Sequence, residues 1–135
     1  MAARPTRKLP TRAELRILNA LWDLGQGTVE DVTKHRSFSR APNYKTTQTL
    51  LRIMEQKRLV RHLMQGRVFV FVPNVTREDV GKVSVRRLLE QHFGGSPTEL
   101  LVNLLESASV DEAELEELET LIRKYRMQTR DYPGA

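Results

Sequence analysis

The stretch from Tyr44 to Leu59 alternates apolar and polar positions with the period of a helix. At about 100° per residue its apolar side chains fall on one side, namely Leu50, Leu51, Met54 and, at the margin, Ile53. The opposite side carries groups that donate and accept hydrogen bonds, with no carboxylate among them: Lys45, Gln48, Thr49, Arg52 and Gln56. We therefore predict a helix, capped by Asn43, that is buried on its leucine side and offers amides and cations on its outer side.

Two further helices are predicted before this segment. The sequence TRAE at 11–14 fits a capping box, so a first helix should begin there and end near Gly25 and Gly27. Thr28, followed by acidic residues in the first turn, should cap a second helix that ends between positions 35 and 37. The first helix gathers its apolar side chains on one face: Leu15, Leu18, Leu21 and Trp22.

After the third helix the sequence changes to the pattern of strands. Two runs rich in β-branched and aromatic residues, 59–63 and 67–72, are separated by Met64-Gln65-Gly66, and Pro73 closes the second run. This pattern predicts a β-hairpin with Gly66 near its tip. Three helices followed by a hairpin is the order of a winged helix-turn-helix domain.

The remainder of the chain is predicted to be helical, with one helix from Thr76 to about Phe93 and two more opened by the capping sequences at 96–99 and 109–112. The last helix repeats apolar residues in the 3-4-3 spacing of a short coiled coil, at Leu115, Leu118, Ile122 and Tyr125. Because four turns of such a seam bury too little surface alone, we expect a partner chain to pack there.

The predicted fold class is thus mainly α with a small β-hairpin wing. Residues 1–75 should form a winged-helix DNA-binding domain, and residues 76–135 a helical dimerisation domain. The residues predicted at the dimer interface are apolar positions of this second domain: Leu88, Leu101, Leu104, Leu105, Leu115, Leu118 and Ile122.

Charge divides the chain at the same point. Residues 1–75 carry 14 Lys and Arg against 5 Asp and Glu, whereas residues 76–135 carry 8 against 12. A basic domain joined to an acidic one favours a polyanion-binding function for the first domain. Chance clustering of charge on a solvated surface is the alternative.

Composition excludes several other classes of protein. The 135 residues include no cysteine, which excludes disulfides and cysteine-ligated zinc, and no apolar run approaches a membrane span. Its histidines, His35, His62 and His92, are too scattered for a metal site. We therefore expect a cytoplasmic protein without membrane insertion, enzymatic activity, metal or cofactor.

The outer face of the third helix has the chemistry of a DNA-reading surface. Amide and cationic side chains can pair with base edges in the major groove, and a threonine methyl can contact a thymine methyl. Wing residues lie near phosphates or the minor groove. The predicted DNA-binding residues are Lys45, Thr46, Gln48, Thr49, Arg52 and Arg67, and Arg4, Arg7 and Lys8 form a further basic arm.

Two alternatives to this interpretation remain open. The same domain could be a protein–protein adaptor whose third helix meets an acidic partner, in which case it would not distinguish one duplex sequence from another. A repressor relieved by a small-molecule inducer is the second alternative, although the C-terminal domain offers few residues that form pockets.

Three stretches, in order and at compatible spacing, resemble the penicillinase-repressor (BlaI/MecI) family of transcription regulators: TRAELRILNALWDLGQGTVEDV, YKTTQTLLRIMEQKRLV and GRVFVFVPNV. They are similar to the family's first two helices, its recognition helix and its wing strand. The resemblance implies a homodimer that binds a dyad-symmetric double-stranded DNA operator and represses genes of antibiotic resistance or stress response. A departure is Arg58, where the family often has glycine.

The resemblance also implies a route of derepression. In some family members a membrane sensor with a metalloprotease domain cuts the repressor at an Asn-Phe-like bond, and Asn103-Leu104 lies at the corresponding position. Leucine stands here in place of the aromatic residue, so Asn103 is either part of a cleavage site or a polar residue among core leucines. The copper-responsive branch senses metal through C-terminal cysteines, which this chain lacks.

Overall fold

The structure, a computed structural model, describes residues 9–36, 38, 40 and 42–131, with backbone only for the last two. Within these residues the elements are α1 (Arg12–Leu24), α2 (Val29–Thr33), α3 (Tyr44–Gln56), β1 (Val60–Gln65), β2 (Val68–Pro73), α4 (Arg77–His92), α5 (Pro97–Ser107) and α6 (Glu112–Asp131). The two strands form one antiparallel hairpin. The predicted fold class, mainly α with a β-hairpin, is therefore confirmed.

The chain divides into two compact units, Met1–Leu88 and Leu89–Ala135. The predicted boundary between a DNA-binding and a dimerisation domain, after residue 75, is a statement about function and stays a prediction. None of the described helices combines the length and the apolar character that crossing a membrane would require.

The first unit encloses a core built by α1, α2, α3 and the hairpin. Its buried apolar side chains are Ile17, Leu18, Ala20, Leu21, Val29, Val32, Leu51, Met54, Leu59, Val60, Phe71 and Val75. The predicted inner face of α1 needs a correction, because Leu15 is only half-buried whereas Ile17 and Glu14 are buried. The inner face of α1 therefore includes one carboxylate.

Caps determine where the first two helices begin and end. Thr11 and Glu14 form the predicted capping box, in which each backbone N–H donates to the other side chain over 2.8 and 3.2 Å. Gly25, at φ 84°, ends α1 as expected. Helix α2 stops at Thr33, earlier than predicted: the Lys34 N–H still donates to the Glu30 carbonyl four residues back, but the His35 N–H donates to the Val32 carbonyl only three residues back.

The end of α3 is a Schellman motif with an unusual residue in it. Leu59 N–H donates to the Met54 carbonyl over 2.9 Å, and Arg58 N–H donates to the Glu55 carbonyl over 3.0 Å. Arg58 has φ 66° and is the one described residue other than glycine with a positive φ. A left-handed backbone conformation is therefore imposed on an L-amino acid with a Cβ.

The hairpin turns more tightly than the sequence predicted. Gln65 pairs with Val68, so the turn contains only Gly66 and Arg67, and Met64 belongs to β1. Gly66 has φ 63°, which suits the first central position of a type II′ turn. Residue Gly27 pairs with the other edge of β2.

The start of α4 is fastened to the first unit. Trp22 Nε1–H donates to the Val75 carbonyl over 2.8 Å. The Arg77 guanidinium lies 5.3 Å from the Trp22 ring centroid and forms a 3.2 Å ion pair with Asp23, while Val80 packs against the core. These contacts explain why the first unit extends into α4.

The second unit contains capped helices whose described side chains enclose no core. Ser96 caps α5 and accepts a hydrogen bond from the Glu99 N–H, with Pro97 at the first helical position as predicted. Asp111 accepts from the Glu114 N–H at the start of α6. Among the side chains described between positions 89 and 129, none is fully buried.

Candidate nucleic-acid interface

The N-terminus of α3 is held by its cap. The Asn43 side chain accepts a 2.8 Å hydrogen bond from the Lys45 N–H, which confirms the predicted N-cap. Thr47 Oγ1 donates to the Asn43 carbonyl over 3.2 Å and is buried. No acidic residue occupies the first turn. The partial positive charge at this end of the helix is therefore left for an outside anion.

The buried side of α3 differs from the predicted stripe. Leu51 and Met54 are buried as predicted, but the third buried residue is Thr47, while Leu50 is half-buried and Ile53 is 37% exposed. Ile53 lies roughly 120° around the helix from Thr47, which takes it off the core face.

All the predicted DNA-binding side chains are exposed. The five on α3 (Lys45, Thr46, Gln48, Thr49 and Arg52) point away from the core, and Arg67 lies in the hairpin turn. The basic arm formed by Arg4, Arg7 and Lys8 lies outside the described residues. Contact of the six predicted side chains on α3 and the hairpin with DNA stays a prediction.

A groove runs between the start of α2, the exposed side of α3 and the hairpin. Its volume is about 770 Å³. The groove brings together Gln48, Arg52 and Arg67, whereas Lys45, Thr46 and Thr49 lie on the helix outside its lining. Three of the six predicted DNA-binding residues therefore line one groove, two of them from α3 and one from the hairpin turn.

Sequence reasoning missed several residues that line this groove. Tyr44, 53% exposed, and Glu55 lie on the same stripe of α3 as Gln48, because eleven residues are about three helical turns. Phe69 contributes from the hairpin. The expectation of a carboxylate-free outer face therefore needs a correction at its wing-side edge, and the helical spacing of Glu55 was the available signal.

Each carboxylate in the groove has a partner within the protein. Glu30 forms a 2.7 Å ion pair with Lys34, and the hydrogen bond that Lys34 Nζ donates to that carboxylate raises the pKa of Lys34. Asp31 accepts from the Thr28 N–H. Glu55 binds His62 of the hairpin. Each of these three carboxylates therefore accepts at least one hydrogen bond from the protein itself.

The contact between Glu55 and the hairpin has two hydrogen bonds. Glu55 Oε2 lies 2.6 Å from His62 Nδ1 and accepts from the His62 backbone N–H over 3.2 Å. The His62 ring stacks on Phe69 at 4.2 Å between centroids and 7° between planes, and Phe69 meets Phe71 edge to face. The Glu55 side chain thereby connects α3 to an aromatic cluster on the wing.

A second acidic contact supports the far end of α3. Glu14, 1% exposed, accepts two 3.0 Å hydrogen bonds from Lys57 Nζ. Burial pushes the pKa of Glu14 upward, but the Thr11 N–H and the Lys57 ammonium outweigh it, so the pKa lies below its ordinary value. Glu14 is therefore charged at neutral pH and fastens α1 to the C-terminus of α3.

The predicted dimer-interface residues lie on α4, α5 and α6. Four of them are exposed and three are half-buried. The exposed four are Leu88, Leu104, Leu105 and Ile122; the half-buried three are Leu101, Leu115 and Leu118. Their role in dimerisation stays a prediction.

The predicted cleavage bond, Asn103–Leu104, lies in the middle of α5 and is exposed. Asn103 Nδ2 donates to the Glu99 carbonyl over 3.0 Å, and the Asn103 backbone carbonyl accepts from Ser107 Oγ.

Among the residues that the structure describes, no group of three or more acidic or histidine side chains is arranged to hold a metal ion.

Comparison with known proteins relates the chain to penicillinase repressors. The family model described as penicillinase repressor matches residues 10–124, from before α1 into α6. The penicillinase repressor of Bacillus licheniformis is 26% identical over 127 residues, covering 93% of this chain and 99% of the relative. A solution structure of Bacillus licheniformis BlaI, in its monomeric form with the blaP half-operator, is 28% identical, covers 58% of this chain and 90% of that one, and gives a TM-score of 0.44.

Proposed function

The chain belongs to the penicillinase repressor family, whose members are transcriptional repressors and not enzymes, and we propose that it represses by binding a specific double-stranded DNA operator as a homodimer. The outer face of α3 enters the major groove, and the hairpin lies along the neighbouring backbone. The observation that carries this proposal is the exposed, capped and cationic outer face of α3.

The chemistry of that face suits base edges. Gln48 can pair bidentately with adenine and Arg52 with guanine, each worth about 1–3 kcal/mol of discrimination. Both are exposed, and both line the groove with Arg67. The N-terminal turn, with Lys45 and no acidic residue, faces outward to receive a phosphate or an acceptor on a base.

Long-range charge supports the same partner. The excess of basic over acidic residues is confined to positions 1–75, which include α3 and the hairpin. A basic domain gains affinity for DNA by releasing counterions, and that part of the affinity falls steeply with salt. Base contacts then discriminate among sequences that all attract the domain.

Dimerisation is supported by the second unit. It carries exposed apolar side chains on two helices, such as Leu104 and Ile122, and none of its described side chains is fully buried. Apolar helices without a core of their own need a partner to bury them. A second copy would also link two operator half-sites, raising affinity through effective concentration.

Derepression by proteolysis at Asn103–Leu104 is part of the proposal. The bond lies inside a regular helix, so a protease of a membrane sensor system would cut it only after α5 unwinds locally. Cutting there would remove apolar residues from the dimer and leave two monovalent DNA binders. A repressor in which Asn103 is merely polar would keep its operator affinity in the presence of that protease.

Selection of bound genomic fragments by the full chain, followed by titration of the selected duplex and of a random duplex, tests DNA recognition. Gln48→Ala and Arg52→Ala should each cost about 1–3 kcal/mol on the selected duplex and much less on the random one. Arg123→Ala, which removes an exposed cation from α6, is the charge-matched control. Equal losses on both duplexes, or no selected sequence at all, would favour the adaptor function.

Sedimentation of a Leu118→Asp variant tests the dimer. The substitution should give monomers with an intact first unit and much weaker binding to the dyad operator, because a charge in an apolar interface is costly. Thr120→Asp, on the same helix outside the apolar spacing, adds the same charge and should remain dimeric. An unaltered Leu118→Asp dimer would contradict the interface assignment.

A further inference from the structure

A carboxylate inside a DNA-binding groove is unfavourable on electrostatic grounds alone. Glu55 lines the groove with Gln48, Arg52 and Arg67, and the phosphates of a bound duplex would repel its negative charge. Its side chain is about one-third exposed, so solvent screens the repulsion without abolishing it. The contacts of Glu55 therefore indicate what it does there.

Both hydrogen bonds of the Glu55 side chain lead to the wing. Its Oε2 accepts from the backbone N–H of His62 and lies 2.6 Å from the ring Nδ1. With Nδ1 as the donor, both hydrogen bonds end on the same carboxylate oxygen. Among the described residues, the hydrogen bonds between α3 and the hairpin strands both end on this carboxylate.

The outer part of the hairpin has little else to hold it. From Leu63 to Phe69 every residue is exposed, and the buried residues of the strands, Val60, Val70 and Phe71, lie nearer its base. A two-stranded hairpin is marginally stable without packing against another element. The stack of the His62 ring on Phe69 extends the anchor from α3 toward the tip.

We propose that Glu55 is a positioning residue for DNA binding: by holding His62, it fixes the wing against α3 so that Arg67 faces the duplex contacted by Gln48 and Arg52. This inference rests on the proposed function and assigns a role to a residue that does not itself touch DNA. The wing contact of Arg67 then depends on Glu55, although the two side chains have opposite charges.

Two substitutions at one position separate positioning from charge. Glu55→Gln removes the charge but keeps an oxygen that accepts from both His62 groups, whereas Glu55→Ala removes charge and acceptor together. If Glu55 acts only through its charge, both variants bind DNA more tightly by the same factor. If it positions the wing, Glu55→Ala binds more weakly than wild type and Glu55→Gln does not.

The experiment is a double-mutant cycle with the full chain, titrated with a duplex recovered by selection and with a random duplex at several salt concentrations. In the wild-type and Glu55→Gln backgrounds, Arg67→Ala should reduce the salt slope by roughly 0.9, the value for one phosphate contact. In the Glu55→Ala background the slope should already be reduced, and Arg67→Ala should change it no further.

Tighter binding by both Glu55 variants, or an Arg67→Ala effect of equal size in all three backgrounds, would overturn the positioning role while leaving DNA recognition intact. Wild-type protein that binds the selected and random duplexes equally would instead contradict the proposed function. A loss confined to Glu55→Ala, with no additional effect of Arg67→Ala, is the result that we expect.

Discussion

Replacing Arg58 by glycine should stabilise the first unit. Arg58 has φ 66° within the Schellman motif that ends α3, where its N–H bonds to the Glu55 carbonyl. Its side chain is exposed. The substitution therefore removes steric strain at the Cβ without removing any buried contact.

The size of the effect follows from two opposing terms. A left-handed conformation costs an L-residue roughly 1–2 kcal/mol, which glycine does not incur. Glycine loses more backbone entropy on folding, which opposes the gain by roughly 0.5–1 kcal/mol. The free energy of unfolding should therefore rise by about 1 kcal/mol or slightly less. For a domain of this size, each kcal/mol raises the melting temperature by roughly 4–8 °C.

Thermal and urea unfolding followed by circular dichroism measure the gain. Arg58→Ala is the matched control, because it removes the guanidinium but retains the Cβ, and it should stay within about 0.5 kcal/mol of wild type. The comparison of Arg58→Gly with Arg58→Ala isolates the backbone term. A glycine variant no more stable than the alanine variant would refute the strain argument.

Three further predictions concern contacts that organise the first unit. Asn43→Ala removes the acceptor for the Lys45 N–H; it should cost about 1 kcal/mol in urea unfolding and weaken operator binding, and unchanged values in both assays would contradict the cap's role. Trp22→Phe leaves the Val75 carbonyl without its 2.8 Å donor and should cost roughly 1–2 kcal/mol, which calorimetry checks. The pKa of Glu14 in the folded protein lies below its ordinary value, so its contribution to stability is fully present above that ordinary value and is lost as the pH falls through the folded-state value. Urea midpoints from neutral to acid pH should therefore fall less steeply in Glu14→Gln than in wild type, and parallel curves would contradict the assignment.

Local features of the fold were predictable because they depend on neighbouring residues. The capping box of Thr11 and Glu14, the cap at Asn43 and the turn at Gly66 each rest on interactions within about three residues, and all appear in the structure. The helix-helix-helix-hairpin order follows from these signals and from hydrophobic period.

Long-range features were not predictable, because they depend on pairings across the fold. The burial of Glu14 makes sense only with Lys57, which is 43 positions away. The strand assignment of Met64 follows from the hairpin register and not from its own propensity.

In the candidate site, too, local features were predictable from the sequence and long-range contacts were not. The exposure of the predicted side chains on α3 follows from helical period, since the core face fixes the outer face. The role proposed for Glu55 depends on the folding of the hairpin back onto α3, which brings His62 to within 2.6 Å of it. No periodic pattern within α3 indicates such a partner.

Methylation interference tests most directly whether the outer face of α3 enters the major groove. Guanine N7 lies in the major groove and adenine N3 in the minor groove, so methylation of a selected duplex probes each groove separately. We predict that the full chain excludes duplexes methylated at guanine N7 within each half-site. Bound and free duplexes with the same methylation at every guanine N7 would contradict recognition by α3.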